Sequence, residues 1–353
     1  MARRGDTTPP APSTHAGEGN RAVITRRRLA LATLATTAPL ANAAAQSPAW
    51  PSRPIVLTIP FQAGGSADLL ARLVAERMMP RIGPGARIVV ENRAGAGGTI
   101  GSDYVRRQPP DGHALLLATP STHGTVPALQ PDTTPYDPIA DFTPIAIMGR
   151  APIALAVPKA SPFHDARALI AAVRAAPGSA SWGSSGSGSV GHLAGELMAL
   201  LAGGLRAEHI PYRGGAGVAD ALAKGEVQYA WEPLGSLAAG AKDGLFRVIA
   251  VGTATRHPLF PEVGTMQEAG LQGFEASTWN VMVGPRGLPP EIVARLSAAA
   301  NASLAEPDVR SRLAVAGIDA VSDSTPESTA AFLAAEYAKF RDIVARANLR
   351  LPR

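Results

Sequence analysis

The chain has 353 residues, 46% of them hydrophobic, no cysteine, and a formal net charge of +5. The missing cysteine excludes disulfides, thiolate metal sites and cysteine nucleophiles. The basic balance is local: Arg3, Arg4, Arg21, Arg26, Arg27 and Arg28 face only Asp6 and Glu18 in the first 45 residues, leaving +1 for the remainder. That remainder lacks the basic face that nucleic-acid binding requires.

Arg26, Arg27 and Arg28 precede a weakly apolar run, Leu29 to Leu40, and then Ala41-Asn42-Ala43-Ala44-Ala45. A charged start, a short apolar centre and an A-x-A end read as a secretory signal over residues 1–45. The run falls short of the about 20 apolar residues that span a bilayer. Thr25 to Leu29 is similar to a twin-arginine signal. Residues 46–353 exceed the usual limit of one hydrophobic core, about 250–300 residues, so two domains are expected.

After residue 46 the pattern alternates strands with helices, as parallel α/β layers do. Ile55 to Ile59 reads as a buried strand, and Leu69, Leu70, Leu73, Val74 and Arg77 follow with helical spacing. Ile88-Val89-Val90 is the next strand, followed by a glycine-rich loop and a short helix carrying Tyr104 and Val105. Asp111-Gly112 is a turn before a third strand, Ala114 to Ala118. Pro127 to Pro144 reads as loop. Two apolar segments, Ile145 to Met148 and Ile153 to Val157, are taken as the crossing into a second lobe.

There the rhythm repeats, with a helix over 165–175, a strand at 180–182, a Gly/Ser loop and a helix over 193–201. A strand near Glu208, a helix over 216–224, and strands over 227–231 and 247–251 follow. Trp279 to Val283 should return to the first lobe. Helices over 290–305 and from Thr325-Pro326-Glu327 to about Asn348 end the chain. The expected division is 46–150 plus 277–353 for one lobe and 151–276 for the other.

Three Gly/Ser loops lie between a strand and a helix: Phe61 to Asp68, Gly95 to Thr99, and Gly183 to Ser189. Glycine lets a ligand approach the backbone closely, and the following helix offers unpaired N–H groups and its positive dipole end. Such a loop attracts an anion without any arginine. Alternatively each is a tight turn whose Ser or Asp caps the helix. The first and third are read as ligand loops, the middle one as mainly structural. Asp68 is either a ligand-orienting acid or a first-turn carboxylate. Glu232 is a second candidate acid. Tyr212 supplies a hydroxyl or lines a wall, and Arg213 clamps a carboxylate or faces solvent.

The rival reading is an exported hydrolase or cofactor-dependent enzyme on an α/β fold. Gly186, Gly188 and Gly191 form a G-x-G-x-x-G, but the strand before it is short and polar, so dinucleotide binding is not expected. No G-x-S-x-G elbow occurs, and the histidines lack zinc-ligand spacing. No catalytic residue, metal or cofactor is therefore assigned.

Several segments taken together resemble the tripartite tricarboxylate transporter substrate-binding proteins, the Bug receptors. They are Trp50-Pro51-Ser52-Arg53-Pro54-Ile55 with Ile59-Pro60-Phe61 and Gly64-Gly65-x-x-Asp68, Glu91 to Gly98, Pro110-Asp111-Gly112-His113, Gly183-Ser184-Ser185-Gly186, His192 to Glu196, and Pro211-Tyr212-Arg213-Gly214. The resemblance implies a type II periplasmic-binding-protein fold, with two α/β lobes, a hinge of two crossings and a ligand cleft between them. It implies a periplasmic, monomeric receptor that closes on a small carboxylate, serving a membrane transporter or a sensor kinase ectodomain. Carried over by position, Phe61, Gly64, Gly65, Ser66, Asp68, Thr119 and Ser121 would line one wall. Ser185, Gly186, Ser187, Tyr212 and Glu232 would line the other. Gln62-Ala63 stands where the family usually has prolines, and Trp231-Glu232 where an Asp is common.

Overall fold

The computed structural model describes residues 50–349, so the expected export signal over 1–45 lies outside the described residues. Its first strand, β1 (Ile55–Ile59), pairs in parallel with β2 (Ile88–Asn92) and β3 (Ala114–Ala118). Helices α1 (Ser66–Ile82) and α2 (Thr99–Arg106) connect them. After β3 a π-helical turn, Ser121–Thr125, runs into the one-turn helix α3 (Val126–Leu129). The Pro/Asp/Thr-rich stretch expected to be all loop thus holds a helix at its start, with Pro127 in its first turn, where a missing N–H costs nothing.

The two apolar segments expected to be separate are one strand, β4 (Phe142–Pro158). At about 3.3 Å per residue it is roughly 55 Å long, enough to serve two halves of a sheet. Its first part pairs antiparallel with β9 (Ser277–Pro285), and its last part with β7 (Tyr229–Pro233) and β8 (Phe246–Val251). Register shifts after Pro144, Ile147 and Leu155 bend it and curl the sheet.

Strand β5 (Ser181–Ser184) joins β7 and β6 (Glu208–Pro211), both in parallel. The two-residue β10 (Asp319–Ala320) pairs with β4, and the path across the ten-stranded sheet is β2-β1-β3-β9-β4-β7-β5-β6. Helices α4 (Ala166–Ala175), α5 (Val190–Leu201), α6 (Gly215–Lys224) and α7 (Leu234–Lys242) belong to the β5–β8 half. Helices α8 (Pro290–Leu304), α9 (Pro307–Val315) and α10 (Pro326–Arg346) end the chain. Apolar periodicity does not reveal α7, α9 or β10, because elements this short carry little repeat.

Alternation across the strands sends side chains to two apolar layers. Leu57, Leu115 and Leu117 pack on Leu70, Val74 and Met78 of α1 and on Leu296 of α8. Leu116, Leu155, Trp231 and Trp279 face a second layer that includes Leu193 of α5 and Leu333 and Phe340 of α10. Trp279 Nε1 donates to Glu336 Oε2 at 2.9 Å, fixing α10 on β9. A capping box starts α10, with Thr325 and Ser328 exchanging side-chain-to-backbone bonds.

Candidate functional site

Parallel strands place their carboxyl ends on one edge, where ligands of open α/β sheets bind. In the β1–β3 half that edge carries Phe61, Asn92 and Thr119, which begin three loops. The first loop is shaped from within by Asp68, buried in the first turn of α1. Its carboxylate accepts the Gly64 N–H at 3.1 Å, two bonds from Arg72 at 3.0 Å, and Asn92 Nδ2 at 3.0 Å. Asn92 donates also to the Phe61 carbonyl at 3.1 Å. The Arg72 hydrogen bonds, aided by Asn92 and Gly64 against the cost of burial, hold the Asp68 carboxyl down to about 2. Gly64 adopts φ +93, which only glycine takes easily.

The middle loop packs beneath the third. Ser121 Oγ donates to Gly97 O at 2.7 Å, and a Cβ on Gly98 would sit 2.5 Å from Thr122 Cγ2. The Thr119 N–H donates to Thr122 Oγ1 at 3.0 Å, whereas the buried Thr119 hydroxyl has no hydrogen-bond partner among the described residues.

In the other half, the carboxyl ends of β5, β6 and β7 bring together Ser185, Tyr212 and Glu232. Tyr212 N–H donates to Ser184 O at 2.9 Å, and Gly214 N–H to Ser185 O at 3.3 Å. Glu232, only 1% exposed, accepts the Ser185 N–H on Oε1 at 2.7 Å. Burial pushes its carboxyl up to about 7, against the lowering effect of Ser185. Behind the Gly186–Ser189 segment, His192 and His209 stack with centroids 4.1 Å apart. His192 Nδ1 accepts the Gly188 N–H at 3.0 Å, and His209 Nε2 pairs with Ser184 Oγ at 2.8 Å. Burial holds both imidazoles down to about 4, and therefore neutral at pH 7.

Between the halves lies a cleft of about 370 Å³. Phe61, Ser66, Thr119, Ser121, Thr278 and Asn280 meet Val190, Pro233, Gly235, Ser236 and the segment Ala316-Gly317-Ile318 across it. None of its lining residues is Asp, Glu, Lys, Arg or His. The first turns of α1, α5 and α7 and the turn at Ser121 all open onto it. Unpaired N–H groups and positive dipole ends thus replace side-chain cations.

A larger depression of about 600 Å³ beside α4 and β8 has charged walls, several of whose charges are already engaged. There Arg256 pairs with Glu268, and Arg247 binds the carbonyls of Ser161 and Phe163.

Of the residues singled out in the sequence, Phe61, Ser66, Thr119 and Ser121 stand on the cleft wall. Gly64, Gly65 and Asp68 shape the loop behind Ser66 without lining the cleft. Ser185, Gly186, Ser187, Tyr212 and Glu232 form an adjoining group outside the lining. The connection runs through Ser236: a Cβ on Gly215 would lie 3.0 Å from both Glu232 Oε2 and Ser236 Cβ. Sequence reading missed Val190, Gly235, Ser236, Thr278, Asn280 and Ala316 to Ile318. Pro233-Leu234-Gly235-Ser236 carried a usable signal, small residues opening a helix directly after a strand. Ala316-Gly317 carried none.

Two sheet halves sharing one long strand, β4, with a cleft between them that is lined by no charged residue and ringed by helix N-termini, define a binding protein of the type II periplasmic-binding-protein fold. The chain belongs to the tripartite tricarboxylate transporter family receptor family, which it matches over residues 70–349. It is 36% identical over 332 residues to the UPF0065 protein in the tcbD-tcbE intergenic region of Pseudomonas sp. (strain P51), covering 94% of this chain and 95% of that one. Among solved structures it is similar to R. palustris Rpa4515 with adipate, with TM-score 0.74, 33% identity, and coverage of 85% and 99% of the two chains. It is likewise similar to the periplasmic binding protein BugD, with TM-score 0.70, 30% identity, and coverage of 85% and 99%. The family is one of transporter receptors and BugD is a periplasmic binding protein, so this chain is a solute-binding receptor and not an enzyme.

Proposed function

We propose that this receptor is exported to the periplasm and captures a small carboxylate in the cleft for uptake through a membrane transporter or for signalling to a sensor ectodomain. One observation carries the reading: the first turns of α1, α5 and α7 and the turn at Ser121 open onto a cleft lined by no charged residue, so backbone N–H groups and the hydroxyls of Ser66, Thr119, Ser121 and Ser236 are what it offers an anion. Adipate in the R. palustris relative supports the ligand class. Periplasmic BugD supports the compartment. The ligand joins two lobes, 46–150 with 277–353 and 151–276, about the β4 and β9 crossings. Its higher affinity for the closed arrangement shifts the population toward closure.

Phe61, Ser66, Thr119 and Ser121 provide one wall. Gly64, Gly65 and Asp68 set the loop that presents Ser66. Ser185, Gly186, Ser187, Tyr212 and Glu232 bound the far end, with Ser236 between them and the cleft.

A thermal-shift panel of mono-, di- and tricarboxylates, hydroxy acids and amino acids tests this. Saturation at about 100 times Kd should add ~2.7 kcal/mol and raise Tm by several degrees. A flat response to every acid, with no ligand carried through purification in native mass spectrometry, would defeat the carboxylate reading.

A further inference from the structure

Asn280 stands where a central strand ordinarily carries an apolar residue. It belongs to β9, which runs between β3 and β4, and its neighbours Val281, Met282 and Val283 are buried core. Asparagine is a poor strand former, and burying a polar side chain costs free energy unless a partner is supplied. Asn280 is only 7% exposed, yet its amide oxygen and nitrogen have no hydrogen-bond partner among the described residues. Neither atom is sealed from solvent, so both open onto the cleft that Asn280 lines. The register shift in β4 between Ile147 and Gly149 falls opposite it, an irregularity of the kind that re-aims a side chain. Thr119 follows Ala118, the ladder partner of Val281, and so ends β3 beside Asn280 with its own hydroxyl buried and unpartnered among the described residues. Thr278, two residues back along β9, faces the same side and lines the same cleft.

We infer that Asn280 sets the ligand specificity of this receptor, and that it selects a hydroxycarboxylate: the helical first turns hold the carboxylate, and Asn280 with Thr119 holds a hydroxyl group. The inference rests on the carboxylate reading of the cleft and narrows it. An amide offers an acceptor at Oδ1 and two donors at Nδ2, and a threonine hydroxyl both donates and accepts. A ligand hydroxyl satisfies this pair in both directions, donating to Asn280 Oδ1 and accepting from Asn280 Nδ2 or the Thr119 hydroxyl. A carboxylate only accepts, so in the same place it covers Oδ1 and leaves it unpaired. A methylene group leaves the whole amide unpaired. Stripping a polar group of water without a replacement costs more than an ordinary hydrogen bond contributes. A site made to bind a hydroxyl therefore rejects the analogue that lacks it. No charged residue lines the cleft, so no ionic attraction overrides this preference.

Calorimetry with the full chain tests the assignment, using three pairs of acids that differ by one hydroxyl: lactate and propionate, malate and succinate, and 2-hydroxyadipate and adipate. In the pair that binds tightest, the hydroxy acid should bind at least about tenfold better than its partner. Asn280→Leu, close in volume, should reduce that ratio to about threefold or less while Tm holds or rises, because an apolar group replaces an unpaired polar one. Asn280→Ala reads the same ratio without adding bulk to the strand, so the test stands even where Asn280→Leu does not fold. A hydroxy acid that binds no tighter than its partner, or a ratio unmoved by the substitutions, overturns the inference and leaves the receptor reading standing. No binding by any of the six acids at millimolar concentration overturns it as well, and counts against the carboxylate reading too.

Discussion

Gly235 lies so close to Ala316 that a Cβ on it would stand 2.4 Å from the Ala316 carbonyl oxygen. Gly317 is equally tight, its own missing Cβ falling 2.5 Å from Gly235 Cα. Gly235 opens α7 in the β5–β8 half, whereas Ala316 and Gly317 follow α9 in the other. At the floor of the cleft the two halves thus touch backbone to backbone. Gly235→Ala should hold this contact open. We expect a stability loss of about 1–3 kcal/mol from overpacking and a larger relative loss of ligand affinity, visible when urea melts are set beside calorimetry. Native affinity in a folded Gly235→Ala variant would show that closure does not depend on this contact.

Thr119 separates binding from folding. Its hydroxyl is buried on the cleft wall without a partner among the described residues. Removing such a group costs the fold little, since an unsatisfied donor is already unfavourable. Thr119→Val should therefore keep Tm or raise it slightly while weakening carboxylate binding by about 1 kcal/mol or more. A drop in Tm together with unchanged affinity would place the hydroxyl in the core's service instead.

Asp68 acts on the ligand through the loop it organises. Asp68→Asn keeps the size but loses the charge that Arg72 faces and weakens the acceptor for Gly64 and Asn92. A stability loss of about 1–3 kcal/mol is expected, with weaker binding because Ser66 is no longer presented in one position. Denaturant melts and titration of the same preparation measure both, and full affinity in the variant would contradict the positioning role.

Acid should destabilise the protein early. Burial holds His123 down to about 3 and His192 and His209 down to about 4, so all three stay neutral in the fold well below the value of about 6.5 at which an unfolded chain takes up protons. Their contribution is complete above pH 6.5 and is lost as pH falls toward 4. Glu232 has the opposite sign. Raised to about 7, it contributes below 4.5 and loses that contribution as pH rises through 7. The burial-raised carboxyls of Glu196 and Glu232 oppose the three histidines but are outnumbered by them, so unfolding takes up protons between pH 4.5 and 6.5 and stability falls as acid is added. Calorimetric scans across this range should show Tm falling steadily with acid; a constant Tm would mean that the histidines are charged in the fold.

Much of this receptor is written in local pattern. Alternating apolar runs gave the strands, and Gly/Ser breaks after them gave the loops that begin α1 and α5, because a tight turn into a helix needs those residues whatever surrounds them. The order of those segments was enough to resemble a receptor family. Tertiary structure alone decided that Ile145 to Met148 and Ile153 to Val157 are one strand, since the bends between them depend on pairing with β9, β7 and β8. It alone turned Asp68 inward onto Arg72 and Asn92, and set Glu232 behind Ser236 and not on the cleft wall. It also brought Ala316 and Gly317, about eighty residues away in sequence from Gly235, to the floor of the site. Glycine and serine loops report how the backbone turns; which of their neighbours reach a common space is fixed only when the sheet curls and its two halves meet.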